Sequence, residues 1–486
     1  MSLTYSALAV LPVVMLLLIS LWKGVKPGVY TGLAVTSVLF FIWDSNWLAF
    51  PASFIAAFID TISILMIVFG AIFLYHTMDQ KGYINGIKLS LQGVHSDRNF
   101  QFYFLAFFLT AFFESVAGFG TPGAIVPLLL ISMGFSATMS VASVLLIDGI
   151  FALSGAIGTP VSVGLEAPLG LPSAMIPKIY LYAAITMAAA GVIVLLSVHR
   201  FLKKENTGVR DYSWMVYLSI MGLFVTFSYF LLELTGVVAA VFMAIISYLF
   251  FFTNKKLKWK PWIPYVLLVG LLLIPKIISP LSSLLAFRLS FNEILSTGVS
   301  ASLQPLRSPL VPFIVAAISA AFLAKDLSFE IKPVLTKTMA VFLVLFPSLA
   351  ITRLMLSSGT TMPSMVEALG AIFGESGAAY PVLSPFIGVL GAFITGSTTV
   401  SNVIFGPVQL NTAQHLLYPE ELILALQLAG ASLGNAICLF NIIAAAAVAD
   451  VKNYSAILKK NMMPVLGASL VVSLVGYLIM FFGLKF

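Results

Sequence analysis

The sequence predicts an all-α polytopic membrane protein with about 12 transmembrane helices, two re-entrant helical hairpins, and inverted-topology repeats with broken helices. Hydrophobic residues make up 60% of the 486-residue chain and charged residues only 9%, whereas a soluble domain carries about 25% charged residues. Apolar stretches recur at the transmembrane length of about 20 residues. Two polar, glycine-rich islands, 114–123 and 396–402, interrupt them, one in each half of the chain. Non-helical backbone inside a bilayer is tolerated only where protein or a water-filled cavity covers it.

The apolar segments predict twelve spans and two hairpins in chain order. The hairpins cover 101–135 and 381–413, where apolar sequence runs to a polar tip and back. The segment 285–305 is amphipathic, and we expect it to lie at the membrane interface rather than to span. The spans are predicted at 5–22, 28–43, 53–77, 137–160, 178–198, 213–231, 237–252, 262–283, 308–324, 338–357, 421–449 and 461–482.

The basic residues predict the orientation. Nineteen of the 25 Lys and Arg residues fall in one alternating set of loops, five fall in the other set, and Arg353 lies inside a span. Basic loops stay on the cytoplasmic side of a membrane. We therefore expect a multi-pass protein of the plasma membrane with both termini outside, provided that both hairpins are re-entrant. The same rule accounts for the net charge of +7, so no nucleic-acid partner is expected.

The order of the segments predicts an internal repeat with an offset of about 282 residues. One unit covers 53–198, with the cytoplasm-open hairpin 101–135 and the broken helix 137–160. The second covers 338–486, with the outside-open hairpin 381–413 and the broken helix 421–449. The hairpins open to opposite sides, so the units are expected to be inverted. The remaining stretches, 1–52 and 199–337, are expected to be scaffold and connecting helices.

The first polar island carries Ser115, Gly118, Gly120 and Thr121. Its G-x-G-x-x-G pattern matches a dinucleotide fingerprint, but that fingerprint needs a preceding strand, and an apolar helix precedes it here. Glycines let the backbone turn sharply, and the helix that restarts beyond Pro122 points free N–H groups at the gap. An anion fits such a helix start. The alternative is a plain helix kink packed against its neighbours.

The second polar island places Ser397, Thr398, Thr399, Ser401 and Asn402 within one short window. Hydroxyl and amide groups can bind a carboxylate, a substrate hydroxyl or a cation. Polar residues also hold transmembrane helices together without binding a ligand. The density of polar groups favours a substrate-binding site.

Two spans are themselves interrupted by small and polar residues, at 155–160 and at 430–441. The second interruption contributes Asn435 and Asn441, which we expect to form further walls of the binding site. Small residues at such positions also let helices pack closely, and the sequence does not separate the two explanations.

Charged residues inside predicted spans are costly, by about 2.5–3.5 kcal/mol on insertion scales, and they mark functional sites. Glu114 and Asp148 both fall near the midplane. Either is a candidate for proton coupling, with a structural, hydrogen-bonded acid as the alternative. Arg353 either clamps a substrate carboxylate or extends to the nearby outer end of its helix. Asp60 is expected to be a partner or a rim charge.

Nothing in the sequence points to catalysis. No cluster of His, Cys, Asp and Glu has metal-ligand spacing, and no nucleophile stands in a catalytic arrangement. We therefore expect no metal, no cofactor and no enzymatic activity. The single cysteine, Cys438, excludes a disulfide within the chain.

Several motifs resemble the L-lactate permease family over most of the chain. They are Phe73-Leu74-Tyr75, Phe112-Phe113-Glu114 through Gly120, Gly155 through Pro160, Ser384 through Gly388, Gly396 through Phe405, and Gly430 through Asn441. The resemblance implies transport of lactate, glycolate and related 2-hydroxy acids with protons. It also implies the ion-transporter superfamily fold, which has inverted repeats and re-entrant hairpins.

Three positions depart from the pattern of this family. Thr398 stands where the family has an Asp, Asp148 where it has an Asn, and Asn435 where it has a Lys. We expect the membrane carboxylate to have moved across the cavity, so that Asp148 takes the coupling role of position 398. Arg353 would then supply the positive charge that is missing at position 435.

The leading functional hypothesis is a secondary transporter that moves a small carboxylate with protons across the lipid bilayer. Sodium coupling is the alternative within this class, because the carbonyls of broken helices coordinate sodium readily. An anion channel is less favoured, since the polar residues form isolated islands rather than a continuous stripe. The oligomeric state stays open, a homo-oligomer included.

Overall fold

The computed structural model describes residues 3–23, 25–91, 94–118, 120–204, 211–253, 258–277, 287–306, 308 and 310–483. Nearly all of the described chain is helical. We number its helices in chain order, and shorter helical turns connect several of them. The first nine helices are α1 (Leu3–Lys23), α2 (Val25–Ile42), α3 (Ala49–Gln80), α4 (Tyr83–Leu91), α5 (Arg98–Ala117), α6 (Thr121–Ser132), α7 (Ala137–Phe151), α8 (Gly155–Val161) and α9 (Ile176–Lys203).

The second part of the chain adds eleven helices and two short strands among the described residues. They are α10 (Ser213–Leu231), α11 (Thr235–Phe250), α12 (Ile263–Ile277), β1 (Leu289–Phe291), β2 (Ala301–Leu303), α13 (Leu310–Leu323), α14 (Ile331–Leu356), α15 (Met365–Gly374), α16 (Tyr380–Thr395), α17 (Thr398–Leu416), α18 (Glu420–Gly434), α19 (Leu439–Val448) and α20 (Tyr454–Phe481).

The polytopic membrane class is confirmed by the length and composition of these helices. Six described helical stretches are long and apolar enough to cross a membrane, and shorter apolar helices such as Leu310–Leu323 accompany them. The helices match the predicted segments closely; for example, 178–198 becomes Ile176–Lys203 and 213–231 becomes Ser213–Leu231. The number of twelve spans and the re-entrant course of the hairpins stay predictions.

The centre of the protein is formed by α5 and by the broken helix that begins with α7. The most apolar window of α5 is 94% buried and that of the stretch Ala137–Leu169 is 100% buried, whereas that of α20 is only 39% buried. A helix that is apolar and buried all round belongs to the interior, and one with an exposed apolar face suits the lipid boundary. Glu114 and Asp148, the two acids that are functional candidates, therefore lie on the two most buried of the six membrane-length stretches.

The segment 285–305 differs from the prediction in its secondary structure. Within its described part, β1 pairs with β2 as an antiparallel ladder, with Leu289 opposite Leu303 and Phe291 opposite Ala301. Strands of three residues cannot span a bilayer, which requires about nine residues per strand. We expected that this segment would not span the membrane, and its strands are too short to do so. Its amphipathic pattern, however, belongs to a small β-hairpin.

Two short helices, α4 and α15, were not predicted. They begin at Tyr83 and Met365, which are 282 residues apart (365 − 83), and this matches the offset expected for the repeat. Both are too short to read as spans. A signal for α15 was nevertheless present, because Ser364 and Glu367 form a capping box around its start. The inverted relation of the two units stays a prediction.

Helices α16 and α18 pack closely at glycines. A Cβ on Gly430 would overlap the carbonyl oxygen of Pro385, and a Cβ on Gly434 would overlap that of Val389. Gly388 of α16 likewise faces the carbonyl oxygen of Gln427. Small residues that allow such close approach are typical of membrane helix pairs. Of the two explanations left open for the second interruption, close packing therefore applies to its glycines.

We predict that Gly430→Ala destabilises the protein by about 1–3 kcal/mol, because the added methyl overpacks a helix contact that has no free volume. The loss is measured as a lower thermal stability of the purified protein in detergent. Gly222→Ala is the matched control, since a Cβ at this helical position meets nothing within 4 Å, and alanine favours a helix over glycine. Equal stability of the two variants would contradict the packing argument.

Candidate functional site

The two helix breaks and the two broken helices meet around one cavity. It holds about 410 Å³ of empty space, counted out to its mouth, which is within the range of about 300–1,000 Å³ for small-molecule sites. Nine of the predicted site residues line it: Glu114, Gly118, Gly120, Asp148, Ser397, Thr398, Thr399, Asn435 and Asn441. Residues not singled out for the site complete the lining: Ala152, Gly155, Ala156, Thr159, Pro160 and Gly396.

The first break ends α5 at Gly118, whose N–H donates to the carbonyl oxygen of Glu114 at 2.9 Å. Gly118 has φ 57° and ψ −149°, a conformation open essentially to glycine alone. A Cβ there would also lie 2.9 Å from Cβ of Ala156. Helix α6 restarts at Thr121, whose N–H donates to the carbonyl oxygen of Gly118 at 3.0 Å. Pro122 follows and has no N–H, while Gly120, just before the helix, lines the cavity. Phe119 lies outside the described residues.

The second break lies between α16 and α17. Gly396 is left-handed, with φ 73°, and Ser397 caps α17 by accepting a hydrogen bond from the N–H of Val400 at 3.2 Å. Thr398 and Thr399 form the first turn of α17 and line the cavity. The positive ends of α6 and α17 are therefore both directed to the cavity region, where they favour a bound negative charge.

The first broken helix changes direction through a run of left-handed residues. Ala156, Ile157 and Gly158 have φ values of 42°, 55° and 71°. This conformation is costly for a β-branched residue such as Ile157. Strain of this kind persists only where the surroundings impose it, and it clusters at functional sites. The second broken helix is simpler, because Asn435 begins a single tight turn and α19 resumes at Leu439.

A pair of buried carboxyl groups forms the most polar wall of the cavity. Glu114 and Asp148 are neighbours in this wall, and the residues are only 6% and 4% exposed. Two ionised carboxylates side by side in a buried site repel each other, so the pair favours a proton on one of the two groups. Gly155 makes room for the pair, because a Cβ there would overlap Oε1 of Glu114.

Four predicted residues lie near the cavity without lining it. The hydroxyl of Ser115 contacts that of Ser154 at 3.3 Å, Ser401 donates to the carbonyl oxygen of Gly388 at 3.0 Å, and Asn402 donates to that of Pro160 at 2.9 Å. Thr121 begins α6. The contacts of Ser115 and Asn402 hold the two breaks against the first broken helix, and that of Ser401 joins α17 to α16. This is the helix-binding role weighed as the alternative for polar residues.

A buried chain of amide groups supports the second break, and the sequence analysis missed it. Gln427 donates to Ser401 at 3.2 Å and to Asn402 at 3.3 Å. Gln409 donates to Gln427 at 2.8 Å and accepts from the hydroxyl of Tyr380 at 2.6 Å. Gln409 and Gln427 lie on different helices and no sequence spacing relates them, so only the three-dimensional contacts reveal the network.

The chain matches the model of one protein family along almost its whole length. The description of that family is L-lactate permease, and the matched stretches are residues 5–266 and 238–483. The chain belongs to the L-lactate permease family. It is therefore an integral membrane transport protein and not an enzyme.

Individual relatives are distant but similar over most of their length. A putative L-lactate permease of Haemophilus influenzae is 27% identical, with 96% of this chain and 97% of the relative covered. An L-lactate permease of Streptococcus iniae is 25% identical over 73% of this chain and 78% of its own length. A glycolate permease of Escherichia coli is 23% identical, with 77% and 76% covered.

Two of the three departures from the L-lactate permease pattern are in direct contact. Asn435 Nδ2 donates to Thr398 Oγ1 at 2.8 Å. The family pattern of an acid at one position and a lysine at the other would place opposite charges here, and this chain has a neutral hydrogen-bonded pair instead. This contact therefore holds no charge that a residue elsewhere would have to balance.

Arg353 does not reach this cavity. Its Nε and Nη2 donate to Oδ2 of Asp60 at 2.9 and 2.6 Å, so the expectation that Asp60 is a partner charge is confirmed. Arg353 lines a different hollow, together with the loop 297–300 and residues near the end of α14. The expectation that Arg353 replaces a charge at position 435 is wrong, because a partner 293 residues away in sequence holds its guanidinium elsewhere.

We predict that Arg353 has a structural role in this L-lactate permease homologue. Arg353→Ala leaves Asp60 buried without a partner and should cost about 3–5 kcal/mol of stability. The double variant Asp60→Ala, Arg353→Ala should be less destabilised than Arg353→Ala alone, as the double-mutant cycle of a direct ion pair requires. Thermal stability in detergent is the measurement. Additive losses would contradict the pairing.

Proposed function

We propose that this protein is a symporter that carries a small 2-hydroxy monocarboxylate together with protons. The main observation behind this proposal is the buried Glu114–Asp148 carboxyl pair in the wall of the cavity. The N-terminal ends of α6 and α17 lie beside the same cavity. The family assignment and the relatives described as L-lactate and glycolate permeases support the substrate class.

The anion would bind at the starts of α6 and α17. Free N–H groups and the positive end of the helix dipole attract a carboxylate at such positions. Ser397, Thr398 and Thr399 add side-chain hydroxyl groups at the same point. The lining contains no Lys or Arg among the described residues, so backbone and hydroxyl donors would have to provide the anion contacts.

Coupling would follow from electrostatic repulsion between the substrate and the carboxyl pair. A carboxylate substrate in the cavity lies close to Glu114 and Asp148, and like charges in a low-dielectric site repel each other strongly. A fully protonated pair removes that repulsion. Protonation therefore strengthens anion binding, and by thermodynamic linkage a bound anion strengthens proton binding to the same extent. Symport requires that the anion and the proton bind to the transporter together.

Alternating access would use the predicted inverted arrangement, with one hairpin reached from each side. The cavity lies where both breaks meet, so movement of either hairpin or of its bundle would expose the same site to a different face. The proposed orientation keeps both termini outside.

We predict that purified protein in liposomes takes up L-lactate or glycolate when a pH gradient, acid outside, is imposed without sodium. Asp148→Asn and Glu114→Gln should each lower this uptake at least about ten-fold, because the amide variants cannot exchange the proton. Asp450→Asn and Glu375→Gln are matched controls, since both acids are exposed and lie outside the cavity lining.

Three results would count against proton symport. Uptake at the wild-type rate by Asp148→Asn would remove this residue from the coupling site. Uptake that needs a sodium gradient and ignores the pH gradient would favour sodium coupling. A flux without saturation or counterflow, at rates far above those of carriers, would favour a channel.

We also predict the orientation from single cysteines placed in a Cys438→Ser background. In intact cells, an impermeant maleimide should label Gly298→Cys but not Lys203→Cys, because these exposed positions fall in loops assigned to opposite sides. Permeabilised cells should show labelling of both. Labelling of Lys203→Cys alone in intact cells would reverse the orientation.

A further inference from the structure

Asn435 is an amide of the cavity wall that has one polar atom hydrogen-bonded and the other without a partner among the described residues. Its Nδ2 donates to Thr398 Oγ1 at 2.8 Å. Its Oδ1 is buried, and no donor in the described residues lies within hydrogen-bonding distance. The residue is 7% exposed and lines the cavity. Buried acceptors are nearly always paired, so this oxygen indicates a missing donor.

The orientation of the amide follows from its neighbours. Thr398 Oγ1 directs its own hydrogen to the carbonyl oxygen of Ala431, at 3.5 Å. With that hydrogen directed to Ala431, the same oxygen accepts from Asn435 Nδ2, and Oδ1 is the atom left without a donor. Because Oδ1 accepts only, the missing partner has to bring a hydrogen.

The place of Asn435 relates this oxygen to the substrate. Thr398 is the first residue of α17, where the carboxylate of the proposed function would bind. In a 2-hydroxy acid, the hydroxyl group is on the carbon next to the carboxylate. A carboxylate at the start of α17 would thus bring its hydroxyl near the amide that contacts Thr398.

We infer that Asn435 Oδ1 accepts a hydrogen bond from the substrate's 2-hydroxyl and selects 2-hydroxy acids over other small carboxylates. This inference rests on the proposed function. Propionate has no group to donate and would leave Oδ1 unpaired. Pyruvate is disfavoured further, since its 2-keto oxygen would face Oδ1 with lone pairs on both sides. Sites built to pair a substrate hydroxyl reject analogues that lack it.

The test measures how well unlabelled acids compete with labelled L-lactate in liposomes. Wild-type protein should bind L-lactate and glycolate about ten-fold more tightly than propionate, and pyruvate at least as weakly as propionate. Asn435→Ala should reduce the preference for L-lactate over propionate to about two-fold or less, mainly by weakening lactate. Stabilisation of the detergent-purified protein by each acid reports the same order without transport.

Asn461→Ala is the matched control. Asn461 is also a buried asparagine whose Nδ2 donates to a carbonyl oxygen, that of Ala436 at 2.9 Å, and whose Oδ1 has no partner among the described residues. It does not line the cavity, so its variant should keep the wild-type preference even if stability falls.

Several outcomes would overturn the inference. They are equal competition by lactate and propionate in the wild type, tight binding of pyruvate, an unchanged preference in Asn435→Ala, or the same loss in Asn461→Ala. The wild-type order is decisive even if Asn435→Ala does not fold. Failure of the proposed substrate class looks different, because wild-type protein would then neither bind nor transport any of the four acids, and failure of proton coupling alone would leave the order of binding unchanged.

Discussion

An ionised carboxylate is poorly tolerated in the interior of a membrane protein, and two in contact are tolerated less. Glu114 and Asp148 nevertheless lie together on the two most buried of the six membrane-length stretches. The pair is compatible with burial because a proton on one group removes its charge. Gly155 leaves the space that the Glu114 side chain occupies. The chemistry proposed for the cavity depends on it.

Hydrogen bonds join the elements that surround the cavity. Asn402 and Thr399 join the start of α17 to Pro160 and Thr159 in the first broken helix, at 2.9 and 3.4 Å. Ser432 of α18 donates to the carbonyl oxygen of Gly149 at 2.8 Å. Segments from the two halves of the chain therefore form the cavity wall together. The left-handed turn at Ile157 is held in this framework, where neighbouring contacts on both sides can impose a strained backbone.

Much of this organisation was predictable from the sequence, because hydrophobic length and helix-breaking residues are local signals. The spans, the breaks at 118–120 and 396–397, and most cavity-lining residues follow from them. The strand pair β1–β2 was not predicted, since three-residue strands carry too little pattern. The prediction that Arg353 contributes a charge to the cavity was wrong, because an ion pair between residues far apart in sequence produces no local sequence pattern. The glutamines of the amide network were missed for the same reason.

The contact between Thr398 and Asn435 also bears on how this branch of the family diverged. Suppose that an ancestral chain had an acid and a lysine at these positions. Replacing either one alone would have left a buried charge without a partner, and such a change commonly costs about 3–5 kcal/mol of stability. A viable route needs both exchanges in quick succession, or an intermediate in which a proton neutralises the stranded acid. Substitutions at these two positions should therefore occur together among related proteins, and chains with only one of the two charged residues should be rare.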